Sequence, residues 1–143
     1  MEKQIREAYR KAFLDSDFDP GWLAKLYMEI RDRLLNLVPS NAKLQREINE
    51  VLDPAFFKQQ IEHNVFCVED MRRLVCYVFE MCLKLGSPAR DETTGKRRDK
   101  VLGEVTDNFK RAIPIFILEA NETLDEIEED IRNLLPPSPS STS

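Results

Sequence analysis

Residues 74–85 read LVCYVFEMCLKL, and residues 86–92 read GSPARDE. A segment as apolar as the first leaves few faces for water, so it predicts a central core helix. The second sets where that helix stops. Gly86 suits the left-handed φ on which many helices end. Ser87 is placed to cap a new helix, with Pro88 in its first turn. Arg90, Asp91 and Glu92 then fall at the mouth of an apolar core, where hydrogen-bonded ion pairs are favoured over a solvated loop.

The same cap-plus-proline grammar punctuates the rest of the chain. Residues 2–14 carry Ile5, Tyr9, Ala12 and Phe13 at helical spacing. Asp19-Pro20 opens a helix whose stripe is Leu23, Leu26, Tyr27, Ile30, Leu34 and Leu37. Pro39-Ser40-Asn41 breaks it and caps a third, striped by Leu44, Ile48, Val51 and Leu52. Asp53-Pro54 starts a short helix over 54–64, with Phe56, Phe57 and Ile61. The core helix covers 69–85 and uses Met71, Leu74, Val75, Val78, Phe79, Cys82 and Leu85. Beyond the turn, Thr93-Thr94-Gly95 is expected to interrupt the helix. Val101, Val105, Phe109, Ala112, Ile113 and Phe116 resume it, and Pro114 is expected to kink it. A last helix pairs the stripe Leu124, Ile127, Ile131, Leu134, Leu135 with acidic outer faces. No strand-like alternation competes. The expectation is an all-α single domain of six or seven helices over residues 1–135, with a disordered Pro/Ser-rich tail at 136–143.

At 143 residues the chain is one domain's worth, 42% apolar and with a net charge of −5. That charge argues against general affinity for nucleic acid. No apolar run reaches the roughly 20 residues that span a bilayer, and Met1-Glu2-Lys3-Gln4 opens no signal peptide. Three cysteines, two of them in the apolar helix, read as buried reduced thiols in a cytoplasmic protein. There the Asn121-Glu122-Thr123 sequon is inert.

Catalytic chemistry finds little to stand on. His63, the one histidine, sits at a helix end and reads as a surface or capping residue without a Ser or Cys partner. The cysteine spacings do not match paired zinc ligands, and no Gly-rich phosphate loop occurs. Asp15, Asp17 and Asp19 imitate a calcium loop, but Pro20 stands where glycine is required and Leu26 where a bidentate Glu is required. Neither cofactor nor metal is expected. Lys96-Arg97-Arg98-Asp99-Lys100 reads first as a solvated helix face, opposite in sign to the acidic last helix. The other readings of this cluster are a docking surface for an acidic partner and a nuclear-localisation element.

Leu85-Gly86-Ser87-Pro88-Ala89-Arg90-Asp91-Glu92 resembles the Leu-Cys-Ala-Pro-x-Arg-Asp-Glu stretch of the T-complex protein 11 family. Ile48, Glu50, Leu52 and Asp53, followed by Gln59, Gln60 and Glu62, resemble an upstream segment of that family. Ile113-Pro114-Ile115-Phe116 resembles a downstream one. Gly86-Ser87 replaces Cys-Ala, and Thr93-Thr94-Gly95 departs from the pattern after Glu92. Because family members are much longer, the chain is expected to be an N-terminal portion or a short relative. The chain is expected to be a non-catalytic interaction module with a protein partner, and the resemblance further implies a role in cyclic-AMP and protein-kinase-A signalling and in sperm function. The candidate interaction or junction residues are Arg90, Asp91, Glu92, Lys96, Arg97 and Arg98. The alternative is a structural protein that self-associates through its last apolar stripe. An enzyme would need a polar cleft with convergent titratable groups around His63 or Arg90, whereas an interaction module would show an apolar groove.

Overall fold

The computed structural model describes residues 19–134. The helix expected over 2–14 and the tail at 136–143 lie outside the described residues, as do Asp15 and Asp17. Among the described residues the protein is helical throughout: α1 (Pro20–Leu37), α2 (Ala42–Val51), α3 (Pro54–Glu62), α4 (Val68–Leu85), a single 3₁₀ turn (Pro88–Arg90) and α5 (Asp91–Leu134). None of these helices is long and apolar enough to cross a membrane.

Three helices start where the sequence places a short acceptor. The Asp19 carboxylate accepts from Gly21 N, Asn41 Oδ1 from Leu44 N and Asp53 Oδ1 from Phe56 N, satisfying amides that a helix start otherwise leaves open. At α4 the reach is reversed, with Asp70 Oδ2 accepting from Cys67 N at 3.1 Å. Asn64, at φ 56°, takes the left-handed conformation just after α3. The stripes face one core. Leu23, Tyr27, Ile30 and Leu34 of α1, Ile48 of α2, Phe57 of α3 and Met71, Val75, Val78 and Phe79 of α4 are buried in it. Phe79 meets Phe116 edge to face at 6.2 Å, joining α4 to α5, its main packing partner. Phe56 departs from the expected stripe: it turns outward at 57% exposure while its neighbour Phe57 is buried.

The largest departure lies in α5. Its hydrogen-bonded pattern runs over 44 residues, but Asn108 is extended, at φ −160° and ψ 100°. In a straight helix, residues 40 apart would be separated by about 60 Å, yet the Arg90 guanidinium binds the Asp130 carboxylate at 3.0 Å. The chain therefore turns back at Asn108. Residues 91–107 and 109–134 form the antiparallel arms of a helical hairpin. The break expected at Pro114 thus falls at Asn108. Pro114 sits in the second turn of the restarted helix, so the carbonyl it crowds, that of residue 110, belongs to the first turn beside the break. Thr93-Thr94-Gly95 does not interrupt the first arm, and Thr94 is buried. The all-α domain stands, with five helices among the described residues and α5 doubled back on itself.

Gly86 ends α4 with φ −87°, not with the left-handed φ expected of it. Glycine is needed there for another reason. A Cβ would lie 2.8 Å from the Cys82 carbonyl oxygen and 3.3 Å from Ile127 Cγ1, so α4 and the second arm meet through the missing side chain. Gly95 and Gly103 differ: a Cβ at either meets nothing within 4 Å. Gly95→Ala and Gly103→Ala should each raise stability by about 0.5–1 kcal/mol through helix propensity alone. Gly86→Ala should lower it by about 1–3 kcal/mol through overpacking. Denaturant unfolding of the three single variants reads both signs.

Candidate functional site

The second arm of α5 presents three faces. Ala120, Leu124 and Ile127 are buried in the core. On a second face, Glu119, Thr123, Glu126 and Asp130 recur every three or four residues, so they line up along the first arm. Arg97 lies over their middle. Its Nη1 and Nη2 donate to the two Glu126 oxygens at 2.8 and 2.7 Å, and Nη1 also donates to Thr123 Oγ1 at 3.2 Å. Its Nε lies 3.5 Å from Glu119. Lys100 Nζ donates to the other Glu119 oxygen at 2.8 Å. Arg90 makes the outermost fork, with Nε and Nη2 donating to Asp130 at 3.1 and 3.0 Å.

The third face turns to α1. Arg33 donates from Nη1 to Asn121 Oδ1 at 2.9 Å, from Nη2 to Asp125 at 2.6 Å and from Nε to Glu128 at 3.2 Å. One acidic helix is thus gripped from two sides by three guanidinium groups, of which Arg97 and Arg90 each fork onto a single carboxylate. The Arg97 hydrogen bonds hold the Glu126 carboxyl below its ordinary range, and the Arg90 fork does the same to Asp130. Both arginines are driven further toward the charged form by these same bonds.

The structure brings together only part of the expected set. Arg90 and Arg97 converge on the second arm. Asp91 follows the 3₁₀ turn, and its N–H donates to the Pro88 carbonyl. Glu92 and Lys96 pair with each other at 3.1 Å on the exposed surface. Arg98 lies against its neighbour Asp99 at 3.3 Å. Arg33 and Asn121, absent from the sequence candidates, complete the arrangement; nothing local marks Arg33 among the charges of Arg31-Asp32-Arg33. Asn121 also donates from Nδ2 to the Ile117 carbonyl, and Thr123 is buried, so the sequon is folded into a helix interior.

Elsewhere the titratable groups stay scattered. His63 ends α3, donating its backbone N–H to Gln59 and Ile61. Cys82 is buried, which pushes its thiol up to about 12. Cys67 is exposed, against the expectation of buried thiols; its place is at the start of α4, where its Sγ lies 3.2 Å from Asp70. No group of three metal-ligating side chains occurs among the described residues.

Two clefts stay open on the surface: a polar one of about 470 Å³ at Ser87, Arg90, Thr93, Asp130 and Asn133, and one lined largely by aromatic side chains. The second, a groove of about 260 Å³, runs between the end of α2, α3 and the start of α4. Val51, Phe56, Phe57, Phe66 and Leu74 line it, together with the polar Gln60, Asp70 and Arg73. Its floor is aromatic: Phe57 stacks on Tyr27 at 4.4 Å and meets Phe66 edge to face at 5.2 Å. Burial pushes the Tyr27 hydroxyl up to about 12, keeping it neutral beneath the groove. Phe56 and Val51, 57% and 48% exposed, form its open lip.

The fold and this surface together define a helical domain built on an arginine-clamped hairpin, with one aromatic groove left open. The chain belongs to the T-complex protein 11 family, whose profile matches residues 1–135. It is 29% identical over 145 residues to the human T-complex protein 11 homolog, a match covering 95% of this chain and 27% of that protein. To mouse T-complex protein 11 it is 28% identical over 113 residues, covering 78% of this chain and 19% of that one. The chain therefore spans about a quarter or less of the length of these relatives. No solved structure matches it.

The clamp carries two predictions. Arg97→Ala removes one partner of a largely buried pair, with only 14% of the arginine side chain exposed. It should lower unfolding free energy by about 1.5–3 kcal/mol, and Arg90→Ala should lower it less, because the Arg90 fork is open to water. The second concerns acid. A carboxyl with a depressed folded-state pKa contributes stability above its unfolded value and loses it as pH falls through the folded one. The Glu126 contribution should therefore be full above about pH 4.5 and fade below it. Thermal melts across that range should fall less steeply for Glu126→Gln than for the parent chain.

Proposed function

We propose that the chain is a non-catalytic helical module that binds a protein partner. The observation that carries this reading is the aromatic groove at α2, α3 and α4, whose lip residue Phe56 is held in the open by a capped short helix. Aromatic anchors exposed beside charged side chains are typical of binding surfaces. The clamp supports the same reading from the other side. Its arginines and carboxylates satisfy one another, which suits a scaffold better than general acid–base chemistry. The relatives share the family but their names specify no activity. The family resemblance implies regulation of cyclic-AMP and protein-kinase-A signalling, in the cytoplasm and in sperm, and we adopt that as the specific form of the proposal. Within it, exposed Lys96 and half-buried Arg98 pair only with acidic neighbours on their own helix and are the cluster members left to an acidic partner surface.

Self-association through the last apolar stripe is the second reading. Leu124 and Ile127 are already committed to the core, which leaves Ile131 and Leu134 as its exposed members among the described residues. Sedimentation velocity separates the two readings, because a monomer across a hundredfold concentration range removes self-association. For the first, the chain is titrated against protein-kinase-A holoenzyme and its separated subunits. Binding that falls at least tenfold in Phe56→Asp, with an unchanged melting temperature, supports a partner seated in the groove. Absence of binding to every subunit removes the kinase role, and binding indifferent to Phe56→Asp removes the groove.

A further inference from the structure

The segment between α4 and α5 carries a feature that the clamp does not use. Ser87-Pro88-Ala89-Arg90 places proline directly after a serine and a base three positions on, the pattern that proline-directed protein kinases select. The chain's other Ser-Pro, at Ser138-Pro139, has Ser141 at the third position instead. Ser87 has an extended backbone, at φ −70° and ψ 139°, as a residue before proline must and as a kinase cleft requires. Pro88 and Ala89 are exposed. The hydroxyl is lightly held: it accepts from Ala89 N at 3.3 Å. It opens onto a cleft of about 470 Å³ that also contains Arg90, Thr93, Asp130 and Asn133.

We propose that Ser87 is a phosphoacceptor for a proline-directed kinase, and that its phosphate takes Arg90 away from Asp130. In the transfer, Ser87 Oγ attacks the γ-phosphorus of ATP. The bond to the β,γ-bridging oxygen breaks, ADP leaves, and the hydroxyl proton passes to the kinase's base. The product carries close to two negative charges and three acceptor oxygens. It stands three residues from a guanidinium that is 37% exposed. A dianion competes with a single carboxylate for the same planar fork. Once Arg90 moves, Asp130 faces the phosphate and Glu126 without its partner, and like-charge repulsion works on the last turn of α5. That turn is weakly anchored, since Leu134 is 81% exposed. Arg97 remains on Glu126, so the change is confined to the end of the second arm.

The test uses the full chain, a purified proline-directed kinase and ATP, with peptide mass spectrometry and hydrogen exchange as readouts. Phosphate is expected on Ser87 and lost in both Ser87→Ala and Pro88→Ala. The phosphorylated chain should exchange amides of 128–134 at least tenfold faster, while 113–124 stays protected. Unphosphorylated Arg90→Gln should show the same acceleration, and phosphorylation of that variant should add little. Failure to modify Ser87 in the folded chain overturns the site, including the case in which a peptide spanning 82–95 is modified and the fold alone protects it. Modification that leaves exchange at 128–134 unchanged overturns the competition for Arg90.

Discussion

The reversal at Asn108 sets what the rest of the molecule must do. Turning a helix back on itself lays a strongly acidic arm beside its own first half and beside α1. Without compensation, Glu119, Glu126 and Asp130 would repel one another along one face. Arg97 and Lys100 on the first arm, and Arg90 in the turn before it, answer them at matching heights. Arg33 answers Asp125 and Glu128 on the other side. Such pairs add little net stability when exposed, and buried ones offset their desolvation only with good geometry. Their larger effect here is on register. Sliding one arm by a single turn would carry Arg97 away from Glu126 and leave a mostly buried guanidinium facing the wrong side chains. The apolar stripe, repetitive in Ile and Leu, discriminates less sharply between registers.

Much of this fold is legible along the chain because its helix starts are written locally. Asp19-Pro20, Asn41, Asp53-Pro54 and Ser87-Pro88 each place a short acceptor or a fixed φ where backbone amides need one. The hairpin is not written that way. Asn108 carries no proline or glycine, and helical spacing continues on both sides of it, whereas Pro114 offers a strong breaker signal that the restarted helix absorbs. Phe56 and Phe57 show the same limit on a smaller scale. Both fit an apolar stripe, and Phe57 is the one that Tyr27 of α1 and Phe66 meet in the core. Of the candidate site, Arg90 is legible from its place after a core helix, whereas Arg97, expected on a solvated helix face, is instead largely buried against Glu126. Arg33 is not legible, because its role depends on a partner about ninety positions away.

The distribution of charge also bears on what the domain presents to others. A net charge of −5 suggests an acidic surface, yet the arm richest in carboxylates uses several of them inside the fold. The surface that stays open includes features of a different character: an aromatic groove with Arg73 and Asp70 among its lining, and a helix face where Lys96 and Arg98 are held only by neighbours on their own helix. Recognition by such a surface depends on shape and aromatic contact first, with charge refining orientation.

The Gly-Ser-Pro-Ala-Arg-Asp-Glu stretch has a physical reading that joins its two ends. At one end Gly86 lets Ile127 approach the last turn of α4, where any Cβ would intrude. At the other, Arg90 reaches Asp130, one helical turn beyond Ile127. Both contacts land on the same stretch of the second arm, so the turn between α4 and α5 is also the point at which the hairpin is closed. A change at either residue acts on the far end of the chain's longest helix as well as on the turn itself. Coupling of that kind requires two discrete arrangements of one element, and the exposed Arg90 fork, with Arg97 fixed behind it, separates a releasable tip from a held shaft. On the proposal that Ser87 is phosphorylated, this division puts the chemical change in the linker and its consequence at the tip of the second arm.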